Sequence, residues 1–183
     1  MNRLASPAQL RASLLRWSLF LVPAVLLLGY LSSQMSGSGA GNPWFEELTK
    51  PATFPPPVTF GIVWTALYAI MGFAFAMVCA AWGARARTAA IIAFIVQLAL
   101  NLAWSPVFFG QHMIFEALIL LLVIDIAVIV TLFLFWKVRP LAGVLLLPYL
   151  GWVLFASLLN YQFWELNPDG GKESSEESQR IEL

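Results

Sequence analysis

Charged side chains are scarce: Asp, Glu, Lys and Arg make up 11% of the 183 residues, against roughly a quarter in an ordinary soluble domain. With 60% hydrophobic residues, this excludes a soluble globular domain and disfavours a disordered chain or a nucleic-acid-binding surface. There is one cysteine, Cys79, so no intramolecular disulfide can form and the redox compartment is unreadable. There is one histidine, His112, with no Cys or carboxylate pair nearby, which leaves no metal set. It reads as a surface residue in a short turn. No Ser-His-Asp set or phosphate-binding glycine loop is present, so catalysis by the usual side chains has no support. The few charges are unevenly spread. Residues 1–164 carry eight Lys or Arg and four Asp or Glu, whereas 165–183 carry two and six.

What the chain does have is long apolar runs. A bilayer core about 30 Å thick takes roughly 20 apolar helical residues, and 14–33, 58–83, 88–109, 113–136 and 140–164 all qualify. Barrel strands alternate apolar and polar residues, but the run from Leu118 to Ile124 is apolar all round. The expected fold is an all-α membrane protein, a five-transmembrane-helix bundle over 14–164. A cytoplasmic segment 1–13 precedes it, and a disordered acidic tail 165–183 follows. The first run also fits a cleaved signal peptide, with basic residues in front and small residues Ser36 to Ala40 behind. Pro23 and Tyr30 suit a retained helix equally well. Arg3, Arg11, Arg16, Arg85, Arg87, Lys137 and Arg139 fall on one side of a five-span chain; Lys50, Lys172 and Arg180 fall on the other. Such a bias places the N-terminus in the cytoplasm, with the 34–57 loop and the C-terminus outside.

Eight tryptophans are next. Trp17, Trp82, Trp136 and Trp164 lie at span ends and fit an interfacial belt; Trp44 lies in the 34–57 loop as belt or lid. Trp64, Trp104 and Trp152 sit deeper, in the outer halves of three spans. They are either packing aromatics or the walls of a ligand cavity. Gln97, Asn101 and Trp104 share one face of the third span, and Trp152, Ala156, Leu159 and Asn160 share one face of the fifth. Amides in hydrocarbon need partners, so these faces point inward. They serve either as interhelical glue, with Gln97 or Asn101 bonding to Asn160, or as a ligand surface. Asp125, midway along the fourth span, is expected to be neutral, paired with an amide or Tyr hydroxyl, in a subunit contact, or engaged in ligand or proton handling. Glu116 can snorkel to water. The stretch Lys50-Pro51-Ala52-Thr53-Phe54-Pro55-Pro56-Pro57 must be stiff and extended, as a lid over the bundle would be. Gly72 with Ala76, or Gly143 with Leu147, offer small-residue contacts for a dimer.

These residues resemble the translocator protein family, whose bacterial members are called tryptophan-rich sensory proteins (TspO). The resemblance rests on Trp44-Phe45-x-x-Leu48-x-Lys50-Pro51, Pro55-Pro56, Phe60-Gly61, Val63-Trp64 and Leu67-Tyr68, then on Gln97 to Gly110, Pro140 to Gly143 and Pro148 to Tyr161. It implies a five-helix bundle in the bacterial cell membrane, usually a homodimer, that binds porphyrins such as protoporphyrin IX and haem, and in some members sterols. No cofactor is required. By motif position the ligand-binding residues are Trp64, Tyr68, Asn101, Trp104, Tyr149, Trp152, Ala156 and Leu159, under a lid carrying Trp44, Lys50, Pro51, Pro55 and Pro56. Some members resemble light- and oxygen-dependent porphyrin-degrading enzymes, and Trp64 and Trp152 stand at the positions implied for that chemistry.

The pattern also has departures. Thr53 and Val58 replace usual aromatics, Ile62 replaces a common Pro, and Glu116 replaces a frequent Trp, putting a carboxylate near the expected pocket mouth. No Lys or Arg follows Tyr161 within five residues, so the sterol-contact pattern is incomplete and sterol binding is doubtful. A tetrapyrrole binder and sensor is the favoured expectation, ahead of the degrading enzyme. A transporter is disfavoured by the lack of an internal repeat. A scaffold whose aromatics only pack stands last.

Overall fold

The computed structural model describes residues 6–39 and 41–170. Five of its helical stretches are long and apolar enough to cross a membrane: Ala8–Met35, Pro57–Cys79, Arg87–Gly110, Ile114–Val138 and Pro140–Leu166. The chain is an all-α, multi-pass integral membrane protein, as the run lengths predict.

Helix α1 (Pro7–Met35) begins about two turns ahead of its apolar run. Ser6 and Gln9 cause this: they form a reciprocal capping box, the Gln9 amide donating to Ser6 Oγ and the Ser6 amide to Gln9 Oε1. Helix α2 (Pro43–Glu47) lies within the 34–57 loop, ahead of the stretch from Lys50 to Pro57 that was expected to be extended. Asn42 caps it, accepting from the Phe45 amide at 3.0 Å. Helix α3 (Pro57–Cys79) starts on a proline, which has no amide to leave unpaired there. It ends short of residue 83, where the chain turns through Gly83 at φ 84°. Trp82 therefore sits beyond the helix end, 68% exposed.

Helix α4 (Arg87–Ser105) runs into a π turn over Pro106–Gly110. Pro106 cannot donate to the Leu102 carbonyl, so that acceptor is free; it is taken by Ser32 Oγ of α1 at 2.7 Å. Helix α5 (Ile114–Val138) is continuous. The fifth span is not: α6 (Pro140–Leu145) and α7 (Leu147–Leu166) are separated at Leu146. Pro148 explains the break, because it supplies no amide to the turn before it.

Around the bundle, α1 packs on α3, α3 on α6 and α4, α4 on α5, and α5 on α6 and α7. The end away from the loop is filled solid. Phe75 stacks on Phe94 at 4.1 Å and Phe94 on Phe135 at 5.7 Å, and Met71, Ala74, Ala76 and Val78 are inaccessible around them. The outward faces are greasy instead, with Leu19, Phe20, Ile126 and Phe133 exposed. That inversion of a soluble protein's surface is what lipid contact requires.

Several expectations change. The small residues offered as dimer contacts are used within the chain. A Cβ on Gly72 would lie 2.8 Å from Val22 Cα, and one on Gly143 would lie 3.0 Å from Trp136 backbone atoms; neither glycine faces outward. The tail does not begin at 165, because α7 continues to Leu166 and Asn167 bonds to the loop. Residues 171–183, like 1–5, lie outside the described residues.

Candidate ligand-binding site

At the loop end the bundle encloses a cavity of about 440 Å³, within the range of small-molecule sites. Trp64 from α3, Trp104 from α4 and Trp152 from α7 all line it. The indoles sit in larger aromatic arrays: Trp64 stacks with Tyr68 at 5.3 Å, Trp104 with Phe108 at 5.1 Å, and Phe60 meets Trp152 edge-on at 5.7 Å. Ala156 and Leu159 complete the α7 wall. None of the lining residues carries a charge.

Several polar groups of this wall are fixed by one another, whereas Trp152 Nε1 is buried without a partner. Tyr68 Oη donates to Asn101 Oδ1 at 2.9 Å. Trp104 Nε1 donates to Asn160 Oδ1 at 3.2 Å, and Asn160 Nδ2 donates to the Ile114 carbonyl at 2.8 Å. Each bond joins different helices, so each ring is held in one orientation at little cost in unsatisfied polarity. The expected bond from Gln97 or Asn101 to Asn160 is not the one formed. Gln97 Oε1 instead accepts from Tyr149 Oη at 2.9 Å.

Tyr149 is correspondingly misplaced among the expected wall residues. It is fully buried, does not line the cavity, and stands behind Trp64 with ring centroids 6.5 Å apart. Asp125 pairs with neither an amide nor a tyrosine: Ser157 Oγ donates to its Oδ2 at 2.8 Å. Glu116 is exposed and does not line the cavity.

The five residues expected in the lid, Trp44, Lys50, Pro51, Pro55 and Pro56, belong to the loop over the cavity but do not themselves line it. Phe45 and Phe54 form the roof. Phe45 lies among Phe54, Phe108, Phe109 and Phe163, with centroids 5.2 to 6.2 Å apart. Lys50 braces this roof. Its Nζ donates to the Phe45 and Glu46 carbonyls at 3.0 Å and to that of Leu48 at 3.3 Å, closing the C-terminal end of α2. Trp44 works as a fastener, its Nε1 donating to the Gly170 carbonyl at 3.0 Å while its ring stacks on His112 at 4.3 Å. His112 is exposed but engaged, at φ 58°. Thr53 Oγ1 donates to Gln162 Oε1, tying the lid to α7 as well.

The phenylalanine roof was missed by sequence reasoning, although Phe45, Phe108 and Phe109 stand inside the motifs that carry the resemblance. Among the described residues, no three His, Cys, Asp or Glu side chains gather as metal ligands. Chemically, the site offers flat, mostly apolar walls with a few hydroxyl and amide groups and no charged side chain.

Known proteins with similar sequences bear on this geometry. A model of the TspO/MBR family matches residues 20–165. Protein CrtK of Rhodobacter capsulatus is 36% identical over 126 residues, covering 68% of this chain and 79% of its own. The translocator protein of Sus scrofa is 38% identical over 160 residues, covering 85% and 93%. The tryptophan-rich protein TspO of Archaeoglobus fulgidus is 37% identical over 146 residues, covering 79% and 92%.

Proposed function

The chain belongs to the TspO/MBR family, and from that premise we propose that it binds and senses a flat tetrapyrrole, protoporphyrin IX or haem, in its aromatic cavity. The observation that carries the proposal is the convergence of Trp64, Trp104 and Trp152 from three helices on one uncharged cavity of about 440 Å³. Rigid aromatic walls suit a large planar ligand, because they offer wide contact area with few rotatable bonds to immobilise. The protein acts in porphyrin metabolism or stress regulation, as a homodimer in a bacterial cell membrane. Its N-terminus is cytoplasmic, and its lid and C-terminus are outside. The dimer face lies elsewhere than Gly72 or Gly143.

Titrating protoporphyrin IX into detergent-solubilised protein tests the proposal through indole fluorescence. Saturable quenching is expected, and its absence at tens of micromolar would overturn the assignment.

Trp64 and Trp152 lining the same cavity favour a second reading, light-dependent porphyrin degradation with dioxygen as the oxidant and an indole as the radical partner. Illumination of the bound complex in air separates the two. Bleaching of the porphyrin that disappears in the Trp64→Phe, Trp152→Phe double variant supports the enzyme; a stable absorbance supports the binder.

A further inference from the structure

The cavity wall is incomplete between α1 and α3. These helices touch at Gly72, where a Cβ would lie 2.8 Å from Val22 Cα. Nearer the lid, Tyr68 covers Gly29, and any Cβ on Gly29 would overlap the phenol ring. Beyond Tyr68 the contact ends. Gly61, Thr65, Tyr68 and Gly72 follow at spacings of three and four, so they share one face of α3. Yet a Cβ on Gly61 would meet nothing within 4 Å. At that level no atom of α1 lies against this face of α3. Gly61, Thr65 and Tyr30 are all exposed on the outside of the bundle and also line the cavity. Residues that belong to both surfaces mark a window.

The window is deep and its rim is apolar. Thr65 lies two turns into α3, about 12 Å along the helix, well below the helix start at Pro57. Leu27 and Leu31 of α1 and Val58 and Ile62 of α3 are exposed on the flanks. Most hydroxyls at the rim are already engaged. Thr65 Oγ1 donates to the Gly61 carbonyl at 2.7 Å, Ser32 Oγ to the Leu102 carbonyl at 2.7 Å, and Ser33 and Ser38 bond to each other at 2.7 Å. The Tyr30 hydroxyl is the one left over, and no lining side chain carries a positive charge. A carboxylate drawn through such a gap would lose its water and gain at most one neutral donor.

Resting on the ligand-binding assignment above, we propose that this window is the entrance, and that the planar tetrapyrrole passes through it sideways from the bilayer in an uncharged form, its propionic acid groups protonated or esterified, while the lid stays shut. The lid is fastened to α7 and the residues after it by Thr49, Thr53 and Trp44, so the side passage is the one that needs no bonds broken.

The test uses protein in lipid nanodiscs, protoporphyrin IX dimethyl ester dissolved in the lipid, and stopped-flow indole fluorescence. Gly61→Trp fills open space, and Thr65→Trp is a second plug in case the first does not fold; circular dichroism verifies each. A plug should slow association and dissociation together by about tenfold or more, whereas a lost wall contact acts mainly on dissociation. Ile62→Trp, on the lipid side of the same turn, serves as a control. Unchanged rates in folded Gly61→Trp or Thr65→Trp protein would overturn the entrance. In the unaltered protein the ester should also bind faster than the free diacid at alkaline pH, and equal rates would overturn the uncharged ligand. Quenching that is insensitive to the plugs sinks only the window; no quenching with any porphyrin sinks the binding assignment itself.

Discussion

Asn167 and Thr49 hold each other in both directions. The Thr49 amide donates to Asn167 Oδ1 at 2.8 Å, and Asn167 Nδ2 donates to the Thr49 carbonyl at 3.0 Å. A side-chain amide thus imitates a strand partner and fixes the lid to the end of α7. The same Nδ2 also donates to the Phe163 carbonyl at 2.9 Å, so lid and helix terminus share one fastener.

Asn167→Ala removes both lid bonds and should cost about 1–2 kcal/mol locally. Amide hydrogen exchange over residues 41–56 should accelerate, with the span helices little changed. Equal protection in the variant and the parent would remove Asn167 from lid closure.

Gly72→Ala drives a methyl into the α1 backbone and should lower stability by about 1–3 kcal/mol. Gly151→Ala provides the contrast, since a Cβ there meets nothing within 4 Å. Thermal melts in detergent distinguish them: the first should fall clearly below the second.

Ala156→Trp places a fourth indole in the cavity, one turn from Trp152. Porphyrin quenching should fall by about tenfold or more, since a blocked pocket forfeits wall contacts along with space. The melting temperature should hold. Loss of stability in parallel with binding would instead make Ala156 a packing residue in a scaffold.

Ser32→Ala leaves the Leu102 carbonyl without a donor and should cost about 1–2 kcal/mol. Pro106→Ala restores an amide where α4 needs one, so the serine should matter less in that background. A double-mutant cycle measures the coupling. Strictly additive losses would mean that the proline does not create the vacancy that Ser32 fills.

The bundle was legible because each crossing must be an unbroken apolar run, and such runs cannot hide. Its interruptions were less so. Pro148 and Pro106 sit inside continuous hydrophobic stretches, and hydropathy is blind to a missing amide. The one-turn helix at Pro43–Glu47 was masked by flanking Gly and Pro, and the order of residues 165–170 by their polar composition. Bonds from Asn167 and Gly170 to the lid supply that order, and they join residues far apart in sequence. At the site, Trp64, Trp104 and Trp152 stood out because they lie deeper in their spans than the other five indoles. Phe45 and Phe54 did not, because in a chain with 14 phenylalanines a roof residue looks like a lipid-facing one. Tyr149 was assigned to the site by motif position, which says nothing of how deep a side chain lies behind the wall.

The stacked rings of Phe75, Phe94 and Phe135 have a directional consequence. They plug the half of the bundle opposite the lid, so the hollow is a cul-de-sac. On the assignment proposed above, a ligand held there would enter and leave by the lid half of the bundle, because the far half offers no continuation of the hollow.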